Sequence, residues 1–545
     1  MTTSRRDFLR SASAVSLAAC APVWRRTGEK VDVVIRGGTV FDGSLAATGI
    51  DADVAINGGR VVAIGRRLAE SGRLEVDAKG QAVAPGFIDV HSHGDNTLFL
   101  DPNAESMIRQ GVTTVVVGQD GSSHGPRAAD DQESDSASLK AYFDSIDKLP
   151  AAVNVASAVG LGTVRGAVMG NENRPATADE VQKMVALVEQ GLADGACGVS
   201  TGLEYTPGAF APLSELIELS KPATRRRLPY STHMRNEDDQ LLESIDESIA
   251  VARGAGCQLQ ISHLKTQGPR NWPKLDTVFA KVAAARAAGI DAAFDRYPYL
   301  AYQTGLTNLF PVWSRDGKAE DFLRRLDEPA TATRIHEYAE EKAALIGGWH
   351  NVQIASVSAA ADKPAEGMRL DDVAKARGLA PYDAAVALLK ANRGSVGMLG
   401  FAMSEENLER ILAHPLAMVC SDGGSMAMSG PARRGSPHPR GGGSFARVLA
   451  RYVRERKVLT LGAAIHKMTA LSAARMQLAG RGQLTVGAMG DVVVFDPATV
   501  ADKATFADPF QYAVGVTAVF VNGSMALLHG ERGARTGRSV RVGQA

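Results

Sequence analysis

Cysteine is scarce in this chain: four in 545 residues, Cys20, Cys197, Cys257 and Cys420. They lack the close, even spacing of a disulfide scaffold or a zinc knuckle, which excludes both. Net charge is missing too, because 60 lysines and arginines balance 60 aspartates and glutamates. With no basic excess and no basic stretch interleaved with aromatics, nothing electrostatic points to a nucleic-acid partner. No internal repeat is visible. The mildly apolar run Ser11 to Ala19 is too short to span a bilayer. What is present is the composition of a soluble globular protein, 45% apolar and 22% charged. The length exceeds one ordinary domain and predicts a large catalytic domain with a smaller companion.

Residues 1–20 read as a targeting signal rather than as part of the fold. Ser4-Arg5-Arg6-Asp7-Phe8-Leu9 has the twin-arginine form. Leu17-Ala18-Ala19-Cys20 resembles a bacterial lipobox. It implies cleavage before Cys20 and lipid attachment to its sulfur, hence a periplasmic lipoprotein anchored to the membrane. Plain cleavage near Ala19 without lipid is the simpler alternative.

Residues 30–84 look all-β. Val31-Asp32-Val33-Val34-Ile35 reads as a strand, with Gly37-Gly38 as a turn. Asp51–Ile56 and Arg60–Ile64 flank Asn57-Gly58-Gly59, a hairpin signal. The same texture returns in 481–530, at Gly490–Asp496 and Val516–Gly523. The two ends are expected to share one small β-sandwich. Between 85 and 480, apolar strand-like runs alternate with helical stretches. Thr177-Ala178-Asp179-Glu180 carries a capping-box pattern that opens a helix over 177–193. About eight such units, with polar residues at the strand ends, predict an α/β fold of the (β/α)8 TIM-barrel type. The stretch 300–400 exceeds one barrel unit and reads as an insertion beside the site. Residues 423–444, with Gly441-Gly442-Gly443, read as a mobile loop over it.

The middle of the chain is organised around Pro85-Gly86-Phe87-Ile88-Asp89-Val90-His91-Ser92-His93. This is a strand-type run ending in two histidines. Strand side chains alternate faces, so His91 and His93 point the same way and one cation can reach both rings. Asp120, His233, His263 and Asp422 also follow apolar strand-like runs. Each has a bland reading by itself, as a helix cap or a hydrogen-bonded structural histidine. Barrel geometry would bring all six to one mouth, and together they read as a metal site. Imidazole and carboxylate suit Zn2+ best, with Mn2+ or Co2+ as substitutes.

These motifs resemble those of the amidohydrolase superfamily, and within it the N-acyl-D-amino-acid deacylase (D-aminoacylase) family. The resemblance is carried by Pro85–Asp89 with His91 and His93, Gln110–Thr114, Ser200–Tyr205 and Thr232–Glu237. Ser262–Lys265, Tyr297–Tyr299, Ser421–Gly423 and His438–Arg440 extend it. It covers roughly residues 30–525. It implies one or two zinc ions on His91, His93, Asp120, His233 and His263, and hydrolysis of N-acyl-D-amino acids or of dipeptides with a C-terminal D-residue. Zinc lowers the pKa of a bound water from about 15.7 to near 7, and the metal-bound hydroxide attacks the amide. The resemblance makes Asp422 the general base that later protonates the leaving amine. It makes Lys265, Tyr297 and Arg440 the holders of the substrate carboxylate.

Two departures stand out. Gly118-Gln119-Asp120-Gly121 has Asp120 where the family usually has cysteine, and a carboxylate readily bridges two ions. Leu161 stands where a family histidine would be. His124, close after Asp120, is either a substrate or metal contact or a loop histidine with no role. Cyclic-amide hydrolases of the hydantoinase or dihydroorotase kind share the barrel. They usually bridge their metals with a carboxylated lysine, and residues 152–169 contain no lysine. A non-catalytic envelope lipoprotein would show an eroded ligand set.

Overall fold

The computed structural model describes residues 30–46, 48–126 and 138–543. The signal-type segment 1–20, with Cys20, lies outside the described residues. No helix among the described residues is long and apolar enough to cross a membrane.

Strands from both chain ends join one nine-stranded sheet. The seam is Val492–Phe495 against Ala82–Pro85, antiparallel, with Val494 opposite Val83. Val33, Ile35, Val54, Val83, Val492, Val494 and Phe520 bury their side chains in one cluster across the seam. Neither end could bury that face alone, so the two ends depend on each other. The hairpin of Ile50–Asn57 and Arg60–Gly65 turns at Gly58 and Gly59, both at positive φ (58° and 78°), as a tight right-twisting turn needs. The turn expected at Gly37-Gly38 is absent. The strand instead runs from Val31 to Val40, and its register against the next strand shifts between Ile35 and Gly38. Gly37 has φ 67°, and a Cβ on Gly38 would meet Val83 Cγ2 at 2.5 Å. The pair makes a β-bulge, which local sequence cannot distinguish from a turn.

In the middle of the chain the strands pair in parallel and in sequence order. Phe87–Asp89, Val112–Val117 and Asn154–Ser157 form one run. Val159–Gly160, Val199–Gly202, Pro229–His233, Gln258–Ile261, Ala292–Arg296 and Ala417–Val419 form the other. Only Ala158 separates the two runs. At the other edge, Asp422 N–H donates to His91 O (2.9 Å) and His93 N–H donates to Gly423 O (3.0 Å). The last strand therefore exits against the first. Helices fill the crossovers, among them Ala178–Ala193, whose capping box joins Thr177 and Glu180.

Residues 301–401 carry a sheet of their own, Ala301–Gly305 and Val352–Ser356 on either side of Gly397–Phe401. Helices Pro329–Leu345 and Pro381–Ala391 pack on it through Ile335, Ile354 and Leu388. The reading of Gly441–Gly443 as a mobile loop is corrected. These glycines lie buried in the helix Arg440–Arg447. A Cβ on Gly441 would meet Gly424 O at 2.7 Å, and one on Gly443 would strike the Tyr299 hydroxyl. The glycines permit close packing rather than motion.

Candidate metal centre and active site

Six ring and carboxylate groups converge where the parallel strands end. Asp120 stands in the middle. Its Oδ1 is 3.4 Å from His91 Nε2, and its Oδ2 is 3.3 Å from His93 Nε2. The same Oδ2 lies 3.5 Å from His263 Nε2 and 3.7 Å from His233 Nδ1. Asp422 Oδ1 lies 3.1 Å from His93 Nε2 and 3.6 Å from His91 Nε2. Two metal-competent groups result, one of His91, His93, Asp120 and Asp422, the other of Asp120, His233 and His263. Asp120 belongs to both.

The backbone is bent to achieve this. Asp120, His263 and Asp422 have φ of 53°, 35° and 50°, a region that side-chain-bearing residues avoid. Strand pairing through His91 and His263 is also shorter than expected. The strands stop at Asp89 and Ile261. Lys265 nevertheless faces the centre, with Nζ 2.6 Å from His263 Nδ1.

Several atoms here are buried without a hydrogen-bond partner: both ring nitrogens of His91 and Oδ1 of Asp120. Leaving such atoms unsatisfied costs about 1–3 kcal/mol each. His233 Nδ1 and His263 Nε2 also face each other at 3.0 Å. Nitrogen and oxygen donors aimed inward around a common point fit a divalent cation. Burial opposes charge on the Asp120 carboxyl, but His91 and His263 outweigh it and hold the pKa well below the usual range. Burial opposes charge on His93 as well, and hydrogen bonds to Asp120 and Asp422 reverse that to raise it well above normal.

A cavity of about 590 Å³ opens above the cluster. Lys265, Tyr297 and Arg440 line it. Arg440 Nη1 is 2.6 Å from Asp422 Oδ2, and its guanidinium lies 4.7 Å from the Tyr297 ring centre. Against the cost of burial, Arg440 leads the groups that hold the Asp422 carboxyl ionised. Nε of Arg440 and the Tyr297 hydroxyl have no hydrogen-bond partner. Lys265 differs, because its ammonium lies 2.7 Å from both oxygens of Glu237. His124 stacks on Tyr142 with ring centres 4.4 Å apart and does not line the cavity. Leu161 is buried at the start of the helix Leu161–Met169.

Three buried acids next to the ligands have no role in the sequence analysis. Glu204 Oε2 lies 3.4 Å from His233 Nε2, and Glu237 Oε1 lies 3.2 Å from His263 Nδ1. Asp295 Oδ1 is 3.6 Å from His91 Nδ1 and accepts the His263 N–H at 2.8 Å. Each orients the outer nitrogen or the backbone of a ring whose other nitrogen faces the centre. Glu204 and Glu237 sit inside the motifs Ser200–Tyr205 and Thr232–Glu237, and Asp295 ends an apolar strand. Those positions were the available signal.

A profile described as "Amidohydrolase family" matches residues 74–526. The chain belongs to the amidohydrolase family. It is 37% identical over 523 residues to N-acyl-D-glutamate deacylase of Alcaligenes xylosoxydans xylosoxydans, covering 94% of this chain and 97% of that one. It is 37% identical over 504 residues to D-aminoacylase of the same organism, covering 90% and 94%. Its structure is similar to that of N-acyl-D-glutamate deacylase from Bordetella bronchiseptica, solved with zinc and a phosphonate inhibitor. The TM-score is 0.81 and the identity 36%, covering 94% of this chain and all of that one. As an amidohydrolase the protein acts on carbon–nitrogen amide bonds.

Proposed function

We propose that the protein is a zinc-dependent N-acyl-D-amino-acid deacylase built on a (β/α)8 barrel over residues 85–480. A β-sandwich assembled from 30–84 and 481–530 flanks that barrel. The observation that carries this reading is the cluster itself: two ligand groups sharing Asp120 beneath a cavity where Arg440 Nε and the Tyr297 hydroxyl lack partners. Its likeness to D-aminoacylase and to the zinc-bound deacylase supports the choice of metal and substrate class.

His91, His93, Asp120, His233 and His263 would hold the metal, with Asp120 common to both ligand groups. When bound, zinc supplies Lewis acidity toward water and the scissile carbonyl. Asp422 accepts the proton of the attacking water and delivers it to the leaving nitrogen, since an amide anion departs poorly without it. The free edge of Arg440 and the Tyr297 hydroxyl receive the substrate's α-carboxylate. Lys265, neutralised by Glu237, adds positive potential there and fixes the His263 ring. For the segment before the fold, Arg5-Arg6 and Cys20 support twin-arginine export and lipid anchoring in the periplasm.

The test is amino-acid release by the zinc-loaded protein from paired N-acetyl-D and N-acetyl-L amino acids, read on a chiral column. Release of D-amino acids alone, lost in Asp422→Asn, is the expected result. Release from the L series, or from neither, overturns the reading.

A further inference from the structure

A second cavity, of about 400 Å³, lies where the inserted segment 301–401 meets the loops that follow Met169 and Gly202. It shares no lining residue with the catalytic cavity. Arg315, Lys318 and Arg393 line it together with Asn171, Thr206 and Ser395, and no carboxylate does. Among the described residues, none of the three cations forms an ion pair. Arg440, Lys265 and Lys342, by contrast, each face a carboxylate.

Arg315 is the informative member. Its Nη2 donates to Glu204 O at 3.1 Å, while its Nε is shut off from solvent and donates to nothing. Burial lowers its pKa, and Glu204 offsets this only in part. The loop around it is held in place, since Asn171 Nδ2 donates to both Arg315 O (2.9 Å) and Gly317 O (2.7 Å). A partly buried guanidinium on one cavity wall with two further cations and no carboxylate makes a site that favours an anion. A guanidinium fork, an ammonium and hydroxyls from Thr206 and Ser395 suit the several oxygens of one oxoanion.

We propose that this cavity binds a phosphate-type oxoanion, which ties the inserted segment to the loop after Gly202. The anion contacts Arg315, Lys318 and Arg393. Arg393 follows the helix Pro381–Ala391, so both ends of the inserted segment contribute. Arg315 in turn holds the backbone of Glu204, which faces His233. The site is therefore linked to the catalytic centre through one residue.

The probe is inorganic phosphate, titrated calorimetrically into the zinc-loaded protein against chloride at matched ionic strength. We expect one saturable site that weakens at least 10-fold in Arg393→Ala and in Lys318→Ala and is largely retained in Arg393→Lys. Both alanine changes fall on exposed side chains, and circular dichroism checks that the fold persists. Phosphate can also reach the catalytic centre, so Arg440→Gln is the control and must leave this site's affinity unchanged. Absence of saturable binding overturns the proposal. So does unchanged affinity in both alanine variants, or loss in Arg440→Gln alone.

Discussion

Asp120 and Asp422 are within reach of the same two histidines, yet their surroundings give them different work. Asp120 has histidines on every side and no cation other than those rings, which suits a bridging ligand. Asp422 is paired on one side with Arg440 and turned on the other to His93, so it stays ionised, as the proposed acceptor of the attacking water's proton must. Asp120→Ala should therefore cut zinc content by half or more, measured by elemental analysis of the dialysed protein, because both groups lose a donor. Asp422→Asn should keep most of the metal while kcat falls by about 10²–10⁴, the range for losing a positioned acid–base group. Glu237→Gln removes the charge facing both Lys265 and His263. Loss of such an outer partner typically costs about 10–100-fold in activity or metal affinity. Steady-state kinetics with added zinc would separate the two.

Two helices carry testable consequences of close packing. The helix Arg440–Arg447 delivers Arg440 to the site, and its glycines let it approach Gly424 and Tyr299. Gly443→Ala should destabilise the protein by about 1–3 kcal/mol, the usual cost of overpacking, and displace Tyr299. Urea denaturation reads the first effect. The helix Leu461–Met468 buries Lys467, only 4% exposed, with Nζ donating to His414 O and Ala417 O. Burial alone lowers its pKa to about 8 from 10.5. Between those values the unfolded chain holds the proton and the folded chain has released it, so folding stability rises with pH. Relative to Lys467→Met, the wild type should gain up to about 3 kcal/mol from pH 7 to above 10. A difference that stays flat with pH would argue that the amine titrates normally.

At the scale of the whole molecule, the catalytic strands are tied to the chain ends at several points. Val492–Phe495 pairs with Ala82–Pro85 immediately before Phe87. Asp491 takes the Asn522 N–H and faces Arg481, while Asn522 Nδ2 donates to Asn154 Oδ1 in a parallel strand. Near the C-terminus, Val155 N–H donates to Arg538 O and Val540 N–H to Val155 O. A fragment of residues 85–480 should therefore be insoluble or molten, because it exposes the seam and leaves Asn154 without its partner. A soluble fragment with a cooperative melt would contradict this. The inserted segment is tied differently, through Lys342 to Asp238, Asn308 to Glu204 and Arg315 to Glu204 O. Apolar packing adds to these ties, since Ile354 and Leu388 of the inserted segment share one buried cluster with Ile88, Val116 and Met418 of the parallel strands.

The positions of His91, His93, Asp120, His233, His263 and Asp422 were legible because each follows an apolar run. A polar residue at such an end is solvated or bound, and little else. The capping box at Thr177 and the hairpin at Gly58-Gly59 were legible for the same reason, since their chemistry closes within a few residues. Local sequence could not show which glycines bend a strand, as Gly37 does, and which admit a neighbouring element, as Gly441 does. That depends on atoms outside the local stretch, such as Val83 for Gly38 and Gly424 for Gly441. The pairing of Arg440 with Asp422 and of Lys265 with Glu237, and the acids behind the histidines, were likewise decided only in three dimensions. A side chain's charge is written in the sequence, but whether another charge already answers it depends on distance. Sequence by itself therefore determined the donor set and the order in which the strands present it. Tertiary structure decided which donors come within reach of one point, which cations already face a carboxylate, and where three further cations line a cavity without one.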